Sequence, residues 1–382
     1  MKNNIFRIVV LIAILAMIVS CAPAATVAPT QPPAPTQPPA PTQPPPAATN
    51  AVPATAVPAV PTVAPTAAPT AVPVKVFRVA VVFPSPITDA AFSQSMYEGL
   101  KAIQTEMGGP SKMEIAYSEN MFNVPDAAAA VRDYATKGYD LVIAHGSQYG
   151  TSLQQIAPDF PKTSFAWGTS LDTFQEDDIN NIFAYQAQAE QGGYVQGVLA
   201  AMMSKSAVLG EAGPVEAGDA KLYVDGFKAG ALATKPTVKV NVTYTGSFSD
   251  VSLMAAAAET HILNGADVLT GSSQSVVGAI GVCKTKNVFW FGTQWDQTAL
   301  APTVVVSSQV YDWTGIIRDM ISSRNVGVLG NKAYTLTFKN KGLVIKYNPA
   351  ITVPADAKTA ADAAIQGIMD GTIDPLKGPI TK

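Results

Sequence analysis

The 382 residues carry 25 Lys and Arg against 28 Asp and Glu, a net charge of −3, and only 14% of positions are charged. Without a basic excess the chain lacks the electrostatic footprint of a nucleic-acid binder. Two cysteines and two histidines leave no material for a disulfide framework or a His/Cys metal cluster. The first element in chain order is a leader: Lys2 and Arg7, then the apolar run Ile8 to Val19, then Ser20-Cys21. A positive segment, a short apolar stretch and a small residue before Cys are the marks of a lipoprotein signal peptide over 1–20, with Cys21 as the lipidated residue. The run falls short of the roughly 20 apolar residues that span a bilayer. An uncleaved single-span anchor is the alternative, and it too would tether the chain at its N-terminus.

Residues 21–74 follow as a linker. They are rich in Pro, Thr and Ala, contain neither glycine nor charge, and repeat Gln-Pro-Pro-Ala-Pro-Thr at 31 and 37. Proline fixes φ and removes donors, so a disordered, polyproline II-like stalk is expected rather than a domain. The remaining 75–382 exceeds one typical core and predicts two lobes. Cys283, within an apolar helical stretch, reads as a buried small hydrophobe.

Within 75–382 periodicity gives an alternating series. Continuous apolar runs predict strands at 76–83, 113–117, 139–144, 163–167, 207–211, 238–244, 266–270 and 288–291. A helix capped by Asp89, with Phe92, Met96, Leu100 and Ile103 on one face, is expected first, and further helices near 126–137, 151–157, 190–204, 219–233, 251–264 and 275–285. Strands buried on both faces and linked by helices imply parallel βαβ sheets, an α/β fold. A faint internal repeat supports two lobes. Gly138-Tyr139-Asp140 leads through a strand to Gly146-Ser147-Gln148, and Gly265-Ala266-Asp267 leads to Gly271-Ser272-Ser273-Gln274. In open α/β sheets the carboxyl ends of the strands form the ligand crevice, so the two Gly-Ser-Gln loops are expected on opposite walls of one cleft.

Catalytic chemistry is thinly represented. No Cys-x-x-Cys, His-x-x-x-His, Gly-x-Ser-x-Gly or Walker loop occurs. His261 reads as an exposed helix residue, and His145, at a strand's carboxyl end, could line the cleft. No enzyme activity, cofactor or metal is called for. Aromatic and amide residues near strand ends are better represented. Asp89, Phe92 and Ser93-Gln94 combine a carboxylate, a ring and an amide, and Phe248 with Asp250 repeats the combination in the second half. Rings from two lobes can sandwich a flat heterocycle while amides read its edge. Phe92 equally suits core packing with Met96 and Leu100, and Asp89 and Asp250 equally suit helix N-caps.

Several segments carry a family resemblance: Asp89-Ala-Ala-Phe92-Ser-Gln-Ser-Met-Tyr97-Glu98-Gly99-Leu100, Asp225-Gly226-Phe227-Lys-Ala-Gly230, Tyr244-Thr-Gly-Ser-Phe248-Ser-Asp250 and Gly265-Ala-Asp267-Val268. In order and spacing they resemble the basic membrane protein (BMP, PnrA-like) family of substrate-binding lipoproteins of ABC transporters. The resemblance implies a type I periplasmic-binding-protein fold, two Rossmann-like lobes joined by a hinge and closing on a purine nucleoside or related molecule. Lobe 1 would take about 75–185 plus later returning segments, and lobe 2 about 186–300. Two departures stand out. Where nucleoside-binding members have an Asp-x-Asp-Gln run, this chain has Gln294-Trp295-Asp296-Gln297, and a Ser-x-x-Lys near the hinge is Ser308-Gln309-Val310-Tyr311, followed by Asp312-Trp313. Loss of that Asp and Lys points to a free purine base over a nucleoside.

By this reading Phe92 and Phe248 clamp a ring. Asp89, Ser93, Gln148, Asp250, Gln274 and Gln294 read its edge, and Asp296 and Trp313 frame the hinge side. The expected partners are the small molecule, ABC permease and ATPase subunits, and the membrane through the lipid anchor. The chain would act as a monomer on the outer face of the plasma membrane. A surface receptor that senses the same ligand without importing it, or an enzyme acting on nucleosides, are the alternatives.

Overall fold

The computed structural model describes residues 75–380. The leader, Cys21 and the Pro-rich segment lie outside the described residues. Two six-stranded sheets organise the chain. The first contains β1 (Phe77–Val82), β2 (Met113–Ser118), β3 (Leu141–Ala144), β4 (Ser164–Gly168) and β5 (Ile182–Ala187). Its order is β2-β1-β3-β4-β5, and β11 (Lys332–Leu336) returns late in the chain to pair parallel with β5. The second contains β6 (Val208–Gly213), β7 (Lys239–Tyr244), β8 (Val268–Gly271), β9 (Phe289–Gln294) and β10 (Val305–Tyr311). It repeats the arrangement as β7-β6-β8-β9-β10 and is closed at its edge by β12 (Leu343–Tyr347), antiparallel to β10. A short β13–β14 ribbon (Ile373–Asp374, Gly378–Pro379) ends the described chain.

Helices α1 (Phe92–Glu106), α2 (Val124–Thr136) and α3 (Gly150–Ile156) link the first sheet. Helices α4 (Ala189–Met203), α5 (Gly218–Thr234), α6 (Val251–Leu263) and α7 (Val277–Lys286) serve the second. The chain passes between sheets three times: from β5 into α4, from β10 through α8 (Thr314–Asn325) to β11, and from β11 to β12. Helix α8 packs on α1, and α9 (Ala355–Met369) packs on α4, so each returning segment completes a lobe. Each sheet has an outer helix layer: Val131, Leu153 and Phe165 pack in the first, Met254, Ile280 and Trp290 in the second. The inner faces share one large core that includes Val79, Tyr185, Leu209, Phe291 and Trp313.

The expected strands and helices from 76 to 291 are present with ends shifted by a few residues. Sequence periodicity passed over β5 and everything after β9. The later strands matter: β10 and β12 extend the second lobe well past 300. The two Asp residues of the internal repeat have matching structural roles at the strands' amino ends. Asp140 accepts from the Arg78 amide at 3.0 Å and from Lys75 at 2.7 Å; Asp267 accepts from Ser204 Oγ at 2.6 Å and from the Lys205 amide at 2.7 Å. His261 is buried rather than exposed, because α6 turns it onto β6, where its Nε2–H reaches the Glu211 carbonyl at 3.1 Å. Cys283 is buried, and burial pushes its thiol up to about 12.

Helices α4 and α5 pack closely through a reciprocal set of glycines. A Cβ on Gly197 would lie 2.0 Å from the Phe227 carbonyl oxygen, and one on Gly230 2.0 Å from that of Tyr194. Gly193 and Gly226 face backbone at 2.4 and 2.3 Å. Backbone lies against backbone here, which only glycine allows. The contact also fixes where the first turn of α5 enters the cleft.

Candidate ligand-binding site

A cavity of about 250 Å³ lies where the carboxyl ends of both sheets meet. From the first lobe it receives Pro84 after β1, Phe92 at the start of α1, Phe122 after β2, Gly146-Ser147-Gln148 after β3 and Thr169 after β4. From the second come Val215 and Ala217 to Ala220 after β6, Phe248 after β7, Gln274 after β8 and Gln294 at the end of β9. The two Gly-Ser-Gln loops thus contribute to one cavity from opposite sheets, as the topology of open α/β sheets dictates.

Phe92 serves both readings made of it. One face of its ring stacks on His145, with centroids 3.7 Å apart and planes 10° apart, while the residue still borders the cavity. His145 itself does not line the cavity; it is fully buried behind Phe92. The Phe92 carbonyl can only accept, so the 3.1 Å contact requires a proton on Nε2, and Nδ1 then accepts from the Tyr185 hydroxyl at 2.7 Å. With both nitrogens used and water excluded, burial drives this imidazole down to about 3. It is a neutral prop for the Phe92 platform.

Asp89 and Ser93 are also placed behind the wall. The Asp89 carboxylate accepts from Ser85 Oγ at 2.7 Å and from the amides of Ala91, Ser93 and Gln94 at 2.8, 3.0 and 3.1 Å. Burial raises its pKa against the opposing pull of those donors. Ser93 Oγ pairs with Ser85 Oγ at 2.6 Å. Together they anchor the amino end of α1, which aims Phe92. Asp250 caps α6 by accepting from the Ser252 and Leu253 amides at 2.9 and 3.0 Å and does not border the cavity. Asp296 pairs with Lys346 at 2.8 Å, which with its bonds to Thr298 outweighs burial and lowers its pKa. Trp313 is buried at the crossing from β10 to α8, its Nε1–H donating to Ser95 Oγ at 2.9 Å.

Four expected ligand contacts do share the cavity besides Phe92: Gln148, Phe248, Gln274 and Gln294. Gln274 and Gln294 each have an amide oxygen buried without a partner. Gln294 also holds φ at +72°, a left-handed conformation that costs free energy for a non-glycine residue and clusters at ligand clamps. Of the lining residues that escaped sequence reasoning, two carry an aromatic ring or a charge. Phe122 stacks across the cleft on Phe248, with centroids 6.5 Å and planes 25° apart. Asp219, in the first turn of α5, is only 5% exposed, and its carboxylate accepts a single long bond, 3.3 Å, from the Ala187 amide. Burial, then the nearby Glu190, push Asp219 up to about 7.

Two lobes of parallel sheet, crossed three times by the chain and sharing one aromatic and amide-lined cavity, define a bilobal solute-binding protein. The family model for ABC transporter substrate-binding proteins of the PnrA-like type matches residues 76–372, and the chain belongs to that family. It is a family of binding proteins rather than enzymes, extracytoplasmic components that take up small molecules and work with permease and ATPase subunits. Among characterised relatives, a purine-binding protein of Brucella abortus is 27% identical over 305 residues, covering 80% of this chain and 84% of its own. An ABC transporter nucleoside-binding protein of Lactococcus lactis is 25% identical over 309 residues, covering 75% and 85%. In three dimensions the chain is similar to an ABC solute-binding protein of Aeropyrum pernix with a TM-score of 0.68, at 17% identity over 78% of this chain and 92% of that one.

Proposed function

We propose that the protein captures a purine-type molecule, a free base in preference to a nucleoside, and delivers it to an ABC importer. The cavity carries this reading. A cavity of about 150 Å³ holds benzene, so 250 Å³ accommodates a bicyclic ring. Phe92 and Phe248 offer ring faces from opposite lobes, and Gln148, Gln274 and Gln294 offer amide edges that can donate or accept. Tyr311, at the position where nucleoside-binding members carry Lys, is buried and brings no positive charge to a ribose. The names of the relatives from Brucella and Lactococcus, one purine-binding and one nucleoside-binding, agree with the ligand class.

In this reading Cys21 carries the lipid anchor and the Pro-rich linker spaces a monomeric binding domain from the membrane's outer face. Calorimetric titration with purine bases, nucleosides, pyrimidines, sugars and amino acids tests it. Binding of bases at least tenfold tighter than of the corresponding nucleosides is expected. Tighter nucleoside binding would refute the preference for a free base, and no binding of either would refute the ligand class.

A further inference from the structure

We propose that Asp219 is the group that reads the ligand: it accepts an N–H from the bound heterocycle, so the site takes neutral or protonated rings and rejects phosphorylated ones. The inference rests on the purine reading above. Among the described residues Asp219 is the only ionisable side chain lining the cavity. The other polar side chains there are amides and hydroxyls, which adapt to either hydrogen-bonding sense; a carboxylate can only accept. The protein leaves that acceptor underused, since its one bond is long and comes from a backbone amide at the first crossing between lobes. A second observation points the same way. Gln294, 5% exposed on the same cavity, has an amide oxygen with no partner, so the cavity holds one acceptor with a single long bond and one with none. Buried polar groups are normally satisfied, and a bound molecule that completes both accounts for the exception.

The surroundings decide the sign of charge the site tolerates. The charged and phenolic groups coupled electrostatically to Asp219 are the Glu190 carboxyl on α4 and the phenols of Tyr185 on β5 and Tyr311 on β10, and none of them is a cation. The Tyr311 hydroxyl, also buried, has no partner. An α-helix N-terminus would ordinarily welcome a phosphate. In α5 that place is taken by a buried acid, and a phosphate there would meet like charge with nothing to offset it. Accepting an N–H favours the ionised carboxylate, so binding near neutral pH releases a proton and affinity rises with pH until Asp219 is ionised in the free protein.

The test is titration calorimetry of the full chain with adenine, guanine, hypoxanthine and adenosine monophosphate at pH 6, 7 and 8, in two buffers of different ionisation enthalpy, for the unaltered protein and Asp219→Asn. The unaltered protein should bind at least one base, release a fraction of a proton near pH 7 and bind the monophosphate at least 100-fold more weakly. Asp219→Asn should bind the base roughly 10- to 100-fold more weakly, the range for a hydrogen bond to a charged group, with no proton released and a flat pH profile. Proton release by the unaltered protein requires no variant, so a misfolded mutant does not rescue or sink the inference. Equal affinity and the same pH profile in Asp219→Asn would overturn the role of Asp219 while leaving the purine reading in place. Tight binding of the monophosphate would overturn the exclusion of phosphorylated ligands. If no base binds the unaltered protein, both readings fall together.

Discussion

Gly197→Ala sets two effects of opposite sign against each other. Alanine in a helix interior is favoured over glycine by about 1 kcal/mol, so propensity alone predicts a stabler protein. At Gly197, however, the added Cβ would stand 2.0 Å from the Phe227 carbonyl oxygen and 2.8 Å from the Ala231 amide nitrogen, well inside the 3.4 Å of ordinary contact. The obstacle is backbone, so no rotamer change relieves it and α4 must move away from α5. Overpacking of a tight contact costs roughly 1–3 kcal/mol and sometimes more. Backbone against backbone belongs at the upper end, which leaves a net loss of about 2 kcal/mol after the propensity gain. At roughly 2 °C per kcal/mol for a chain of this size, Tm should fall by about 4 °C. Because α5 begins at the cavity wall, ligand affinity should fall as well. Gly281→Ala is the control. It lies in α7 with nothing within 4 Å of the added Cβ, so only propensity acts and Tm should rise by up to about 2 °C. Thermal unfolding of both variants by circular dichroism decides the matter. A Gly197→Ala protein as stable as Gly281→Ala would show that the helix crossing does not constrain the lobe.

Two further outcomes follow from buried titratable groups and a third from the aromatic pair at the cleft. Asp219 has its pKa raised from 3.8 to about 7 by burial; the folded state therefore holds its proton more tightly, and the associated stability, complete below pH 4, is lost as pH rises through 7. Without ligand, Asp219→Asn should gain on the unaltered protein across that window, by at most about 4 kcal/mol, and urea unfolding at pH 4.5 and 8 that shows a constant difference would contradict this. His145 acts in the opposite direction. Depressed by burial from 6.5 to about 3, it contributes stability above pH 6.5 that is lost as pH falls, on the order of 2.7 kcal/mol by pH 4.5. In His145→Gln the fall in stability between pH 7 and 4.5 should be shallower by about that amount, and an unchanged slope would mean the ring is not held neutral. Phe248→Ala should weaken binding of a purine base roughly 10- to 100-fold through lost stacking; Phe122→Ala, which removes the second ring of the pair at the cleft, should weaken it less, and calorimetry giving the reverse order would reassign the clamp.

Much of this architecture is legible in sequence because it rests on periodicity. β3 is buried along its whole length and reads as an unbroken apolar run. By contrast β11 begins exposed at Lys332 and Ala333 and β12 alternates, with exposed residues at Val344 and Lys346, and their pairing depends on chain crossings that no local pattern records. Site residues divided along the same line. Gln148, Phe248 and Gln274 were visible as polar or aromatic residues in loops that follow strands, and Gln294, the last residue of β9, was reached through the family resemblance. Asp89 resembled them in one dimension, but its carboxylate turned inward to the backbone of its own helix. Asp219 went unnoticed because Gly218-Asp219-Ala220 looks like any helix start; the rule that ligands lie beyond strand carboxyl ends, applied to β6 as it was to β3 and β8, would have reached it. The same rule applied to β2 would have reached Phe122. The burial of His261 depends on the missing side chain of Gly210, whose Cβ would lie 2.5 Å from the histidine Cβ, a relation between elements that sequence spacing does not carry.

The two walls of the cavity differ in how firmly they are built, and the difference bears on how the cleft works. The Phe92 ring is backed by His145, which is itself enclosed by Tyr185, Trp313 and Phe83. The Phe92 carbonyl is tied to His145, and the turn before it is tied to Asp89. A ring held this way presents the same face whether or not a ligand is present, which spares binding the entropy of ordering it. Phe248 sits instead on the short Thr245–Asp250 turn, joined to the Gln274 loop by Ser273 Oγ donating to its carbonyl at 2.8 Å. That bond links two second-lobe contacts, so when the lobe swings they arrive together. Contacts between lobes at the cleft include Gln297 Nε2–H donating to the Ala90 carbonyl at 3.2 Å, the Ala187 amide donating to Asp219 at 3.3 Å, and the Phe122–Phe248 stack. On the proposed function, a ligand would stack first on this prepared platform and then be met by the paired second-lobe contacts, so that its own binding free energy would favour closure.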